Sequence, residues 1–151
     1  MSTEQLKFVL SFDWLQLANC VAYDFGCEDG ELLRSLNPKL GFGYDKDRSL
    51  VDNGNALSDR LCYDNVLLGC HDLDKESYAS LMQKMTHETF ELAILHEPEF
   101  LNTREELFRL VDSRAEKIIV ETKDRSLLFR YLPNRTNHLI GLDVYLAMRK
   151  A

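Results

Sequence analysis

Apolar positions along this chain change their period several times, and the changes mark the expected elements. Leu10, Trp14, Leu17, Ala18, Val21 and Phe25 recur at helical spacing and predict a helix over 11–25. Ser11 suits its N-cap, and Gly26 falls just beyond its end. Residues 4–10 extend this helix or form a short strand; the pattern supports both. A second short helix over 29–36 stops at Asn37-Pro38. Residues 37–65 lose periodicity. They hold Gly41-Phe42-Gly43 and the turn dipeptide Asn53-Gly54, and they leave room for a short helix around Ala56 to Leu61. This stretch reads as a long irregular connection, a kind of segment that often carries function.

From Val66 the pattern sharpens. An apolar run at 66–70 leads to a helix near Asp74, whose stripe is Tyr78, Leu81, Met82 and Met85. A second run spans 90–95. The helix after it opens on the capping box Thr103-Arg104-Glu105-Glu106. A third run spans 117–121. The order β-α-β-α-β favours right-handed crossovers and a parallel sheet. Beyond it, 126–132 reads as a strand joined by a polar turn. Ile140, Leu142, Val144, Leu146 and Met148 alternate with their neighbours as a further strand. The expected fold is α/β (or α+β), a single domain over 1–151. It comprises a helical part at 1–36, the connection at 37–65 and a sheet core at 66–151. That core ends in a C-terminal antiparallel β-meander and forms a mixed sheet of about five strands.

Composition adds limits. The 151 residues suit one domain. No apolar run approaches the ~20 residues that span a bilayer, and the first residues lack the basic start of a signal peptide. A cytoplasmic location follows as the expectation. Cys20, Cys27, Cys62 and Cys70 fit no zinc spacing and are expected to be buried free thiols. The net charge of −7 is uneven: residues 1–64 carry −5, 65–112 carry −6 and 113–151 carry +4. An acidic body repels phosphate backbones, so nucleic-acid binding is not expected.

The three central runs each end in a side chain able to do chemistry, at His71, His96 and Glu121, spaced 25 residues apart. On parallel strands these would share one sheet edge, where α/β folds bind ligands. His71-Asp72 and His96-Glu97 are adjacent pairs, but neighbours on a strand point to opposite faces. The useful pairing is therefore across strands. Two imidazoles and a carboxylate suit a metal, and a histidine tuned by Glu121 suits a general base. Ile118-Ile119-Val120-Glu121-Thr122-Lys123 resembles the local core of the PD-(D/E)xK nucleases. That resemblance implies magnesium on Glu121, water positioned by Lys123 and an upstream aspartate, for which Asp112 is the nearest choice. No family resemblance extends beyond these six residues. Asp45-x-Asp47-x-Ser49 begins like a calcium loop, but Leu50 stands where glycine is required. Gly41-Phe42-Gly43 lacks the rest of a phosphate loop.

The resulting expectation is a small acidic binding protein without catalysis, acting as an inhibitor, immunity or adaptor protein toward a basic protein partner. Its contacts would be Glu28, Asp29, Glu31, Asp45, Asp47 and Asp52, with Phe42 and Tyr44 as aromatic anchors. No cofactor is expected. The alternative is a hydrolase, nuclease-like or otherwise metal-dependent, using His71, His96 and Glu121. A homo-oligomer through pairing of strand 138–148 is a further option.

Overall fold

The computed structural model describes residues 16–150. Its centre is a seven-stranded sheet: β1 (Val21–Phe25), β2 (Leu40–Asp45), β3 (Val66–Cys70), β4 (Phe90–His96), β5 (Ala115–Glu121), β6 (Arg135–Gly141) and β7 (Val144–Arg149). Five α-helices connect them: α1 (Glu31–Leu36), α2 (Arg48–Arg60), α3 (Tyr78–Lys84), α4 (Arg104–Arg114) and α5 (Ser126–Tyr131). The spatial order is β3-β2-β1-β4-β5-β7-β6. Strands β1 to β5 are parallel, and β7 runs antiparallel to both β5 and β6. The fold is therefore α/β, with two more strands than expected.

Both faces of the sheet are covered. On β5, Ile118 and Val120 face one core, shared with Leu81, Leu107, Phe108 and Leu128 of α3, α4 and α5. Ile119 faces the other, shared with Leu33 of α1 and Val51 of α2. Strands covered on both faces read as continuous apolar runs rather than alternations. That explains the main correction at the start of the chain. Val21-Ala22-Tyr23-Asp24-Phe25 is buried at every position and forms a strand, not the end of a helix. Its apolar residues match a 3.6-residue spacing only because all of them are buried. The first part of the predicted helix, and residues 4–10, lie outside the described residues.

The stretch at 37–65 is regular after all. Asp47 caps α2 by accepting from the Leu50 amide at 3.2 Å. Asn53-Gly54 lies inside that helix rather than in a turn. A Cβ on Gly54 would fall 2.2 Å from the Asp29 carbonyl oxygen, so glycine allows α2 to press against the loop after β1. Residues 126–132 form a helical crossover instead of a strand. Because β6 runs parallel to β5 and lies beyond β7, a direct hairpin cannot link β5 to it. The predicted 138–148 strand is really the β6–β7 hairpin, with Asp143 in the left-handed region at φ 57° in its turn. Pairing through it would engage β6, since β7 lies inside the sheet. Among the described residues, no helix is long and apolar enough to cross a membrane.

Two buried arginines lock the layers. Arg135 bonds Asp112 at 2.6 Å and donates to the carbonyls of Ala115, Glu116 and Ala147. Arg34 donates to the carbonyls of Asp29 and Gly54. Part of the basic C-terminal segment is thus internal structure.

Candidate functional site

The chain builds β1, β2 and β3 outward in one direction, then returns to place β4 on the other side of β1. The point between β1 and β4 is the switch point, where the connections leave a crevice beyond the strand ends. Three side chains meet there: Asp24 on β1, His96 on β4 and Glu121 on β5. His96 and Glu121 are register partners. The His96 Nε2 lies 2.6 Å from Asp24 Oδ1, and its Nδ1 lies 3.6 Å from Glu121 Oε1. Burial lowers the imidazole pKa. The charge and hydrogen bond of Asp24, with those of Glu121, outweigh it and raise the pKa to about 10. His96 is therefore an imidazolium at neutral pH, donating to Asp24, and not a general base. The Asp24 side chain is only 1% exposed, and its Oδ2 has no hydrogen-bond partner.

Beyond these groups lies a cavity of about 190 Å³, walled by the loop after β1. Gly26 opens this loop at φ 101°, a conformation that suits glycine. Glu28 follows at φ 52°, a left-handed position unusual for glutamate. The loop amides are largely spent. Gly26 and Cys27 donate to the Tyr44 carbonyl, and Gly30 to that of Cys27. Glu28 donates to Asp45 Oδ2 and Glu31 to Asp29 Oδ1. A turn whose amides are mostly taken by carbonyls and by the Asp29 and Asp45 carboxylates is a poor cradle for an anion.

A second cavity, of about 150 Å³, adjoins the same Gly26 on the β2–β3 side. Asp45, Leu73 and Leu101 line it. His71 also lines it, but in a different electrostatic state. It is buried, with Nδ1 at 3.0 Å from Lys84 Nζ and 3.2 Å from Glu76 Oε2. Burial first, then the Lys84 charge, lowers its pKa, so it is neutral. Lysine offers only donors, so His71 Nδ1 accepts and its proton sits on Nε2.

The structure thus brings His96 and Glu121 together and places His71 apart. Strands β2 and β1 intervene, which separates the β3 and β4 ends by three strand spacings, roughly 14 Å. Among the described residues, no group of three or more His, Cys, Asp or Glu side chains is arranged to hold a metal ion. Lys123 is exposed, and its amide donates to Glu99 Oε2. Asp112 is bound to Arg135 at the opposite end of β5 from Glu121, so the nuclease-like constellation does not form. Glu28, Asp29 and Glu31 line the first cavity, and Asp45 the second. Asp47 serves as the α2 cap, and Asp52 is exposed on the same helix. Tyr44 is buried, and the Phe42 ring stacks 5.0 Å from Tyr23, so neither is an exposed anchor. Cys20 and Cys27 are buried, Cys70 is half-buried and Cys62 is exposed.

Sequence reading missed Asp24 and the whole Gly26–Gly30 loop. The signal was present: a glycine turn after an apolar run, with an acid at Asp45 about 20 residues downstream, is a nucleotide-site pattern. Assigning 11–25 to a helix hid the strand that this pattern requires.

Solved structures share the fold. The chain matches WbdD, described elsewhere as a bifunctional kinase-methyltransferase, with a TM-score of 0.74 at 16% identity. It covers 98% of this chain but 41% of that one, so this chain spans about two fifths of WbdD. Magnesium protoporphyrin IX methyltransferase from Synechocystis PCC 6803, with bound SAM, matches with a TM-score of 0.72 at 15% identity, covering 98% of this chain and 79% of that one. The [4+2]-cyclase SpnF matches with a TM-score of 0.62 at 12% identity, over 78% of this chain and 43% of that one. No protein-family model matches the sequence. No curated protein matches it either. The fold is the Rossmann-like α/β fold of these methyltransferase structures. This overturns the expectation of a non-catalytic inhibitor, immunity or adaptor protein, because the architecture is that of an enzyme fold. The hydrolase alternative gains no support from it either.

Proposed function

We propose that this chain binds an adenosyl sulfonium cofactor of the S-adenosylmethionine type at the switch-point edge, as the cofactor domain of a group-transfer enzyme of the methyltransferase kind. The carrying observation is the loop after β1. It has the glycine turn of a nucleotide site, yet most of its amides are engaged within the protein and its walls carry several acids. A dinucleotide would put a pyrophosphate there and meet carboxylates instead of donors. A sulfonium would meet opposite charge.

The residues suit the adenosine half of such a cofactor. Asp45 ends β2, where nucleotide-binding sheets place the acid that accepts from ribose hydroxyls. Its carboxylate has acceptor capacity beyond the Glu28 and Asp47 amides it already holds at 2.9 Å each. Leu73 and Leu101 offer apolar walls for a purine. When bound, the cofactor supplies an electrophilic carbon on a positively charged sulfur. Asp24 and the loop acids place negative charge beside that position, while His96, already protonated, offsets part of it. The different chemistries of the neighbours, a cyclase among them, leave the acceptor to parts of the surface outside this edge.

Isothermal calorimetry with 5′-methylthioadenosine, the portion common to such cofactors, tests the reading. Saturable 1:1 binding is expected, with NAD+ inert at the same concentration. Asp45→Asn should weaken binding roughly 10- to 100-fold, the worth of hydrogen bonds to a charged acceptor. Failure of 5′-methylthioadenosine to bind, or indifference to Asp45→Asn, contradicts it.

A further inference from the structure

We infer that the chain forms a two-fold dimer by antiparallel pairing of β6 with the β6 of a second copy. The two edges of the sheet carry this, because side chains and turns close one edge and leave the other open.

The closed edge is β3. Its outward backbone groups belong to Val66, Leu68 and Cys70, and each of these residues is capped. The Val66 amide donates to the Tyr63 carbonyl at 3.3 Å. The Asn55 side chain clasps Leu68, accepting from its amide at 3.0 Å and donating to its carbonyl at 2.9 Å. Lys84 Nζ donates to the Cys70 carbonyl at 3.0 Å. A strand with its outer groups bonded in this way offers little to another strand.

The open edge is β6, the last strand in the order. Among the described residues, 136–141 hydrogen-bond only within the β7 ladder. Edge strands are commonly guarded by lysine, proline or an inward charge. Thr136-Asn137-His138-Leu139-Ile140-Gly141-Leu142 contains no Lys, Arg, Asp, Glu or Pro. The charge that begins the strand, on Arg135, is buried and bonded to Asp112 at 2.6 Å. A register shift between Leu139 and Gly141 leaves 135–139 in unbroken register. Leu139 and Leu142 project from the hairpin at 68% and 70% exposure.

The occupant follows from charge. A two-fold axis sets each group against itself or a near neighbour, so a charged edge repels its own copy and an uncharged one does not. Antiparallel pairing of β6 across such an axis continues the sheet and brings the two Leu139 side chains within reach of each other.

Sedimentation velocity of the full chain tests this. A ladder this short makes a small interface, so dimers are expected at roughly 100 µM chain and monomers at roughly 1 µM. Leu139→Lys and Leu139→Glu should each weaken dimerisation roughly tenfold or more by setting like charges together. An equimolar mixture of the two variants should dimerise again, which a folding defect could not produce. Leu67→Lys, at an exposed position on the capped β3 edge, should leave the dimer unchanged. A monomer at every concentration, particles larger than a dimer, a dimer that survives both Leu139 substitutions, or a mixture that stays monomeric overturns the inference.

Discussion

The two ends of the catalytic-looking edge hold one histidine each, and they differ in nearly everything that matters. His71-Asp72 and His96-Glu97 look alike in sequence. Yet His96 is a cation clamped between Asp24 and Glu121, while His71 is neutral beneath Lys84. The acid next in sequence decides neither case. At His96 the partners come from β1 and β5, the strands on either side of β4. At His71 the lysine comes from α3, which packs back over the strand end. The same residue type at the same sheet edge is set to opposite charge states by its spatial neighbours. The consequence is a divided edge, with one half charged and the other more apolar.

Removing the clamp should produce the largest effect. His96→Leu leaves Asp24 buried without its cation and is expected to cost about 3–5 kcal/mol of stability, measured by urea denaturation. Adding Asp24→Asn to that variant should recover much of the loss, since the penalty belongs to the uncompensated charge and not to the missing ring. Equal losses in the single and double variants would contradict the clamp.

The pH dependence sharpens the contrast from both sides. The folded pKa of His96, about 10, lies above the ordinary 6.5. Its stabilising contribution is therefore complete below pH 6.5 and is lost as pH rises toward 10. The loss is on the order of 5 kcal/mol across that window, and His96→Gln should abolish it. His71 behaves in the opposite sense. Its folded pKa lies below the ordinary value, so protonation favours the unfolded chain and stability falls as pH drops below about 6.5. Unfolding curves of His71→Gln should show a flatter acid limb than the parent.

The smallest expected effect is on Lys84. Lys84→Met removes a half-exposed charge and should change stability by under about 1 kcal/mol. It should nonetheless move the His71 titration, followed by histidine NMR, to higher pH. An unmoved titration would show that burial alone sets His71.

How much of this was legible in the sequence follows from the same comparison. The three apolar runs ending at His71, His96 and Glu121 are real parallel strands, and the His96–Glu121 contact follows from adjacent strands in register. The position of His71 was not legible, because equal β-α spacing implies adjacency only if chain order is spatial order. Here β4 returns to the far side of β1 and inserts two strands between them. Asp24 was hidden by burial. A strand covered on both faces carries no period of two, and Val21 to Phe25 passed for a helix. The crossover at 126–132 was too short for its period to separate helix from strand; Leu127, Leu128 and Leu132 are buried in either reading. The acidic charge was legible, but its gathering was not: Asp24, Glu28, Asp29, Glu31, Glu97 and Glu121 come together around one cavity.

The most direct test of the account is an amide NMR titration of the full chain with 5′-methylthioadenosine. The account predicts saturable shifts concentrated at Gly26, Asp45, Asp72 and Leu73, with β6 and β7 unmoved. Shifts confined to the β6–β7 hairpin, or none at all at saturating ligand, would contradict it.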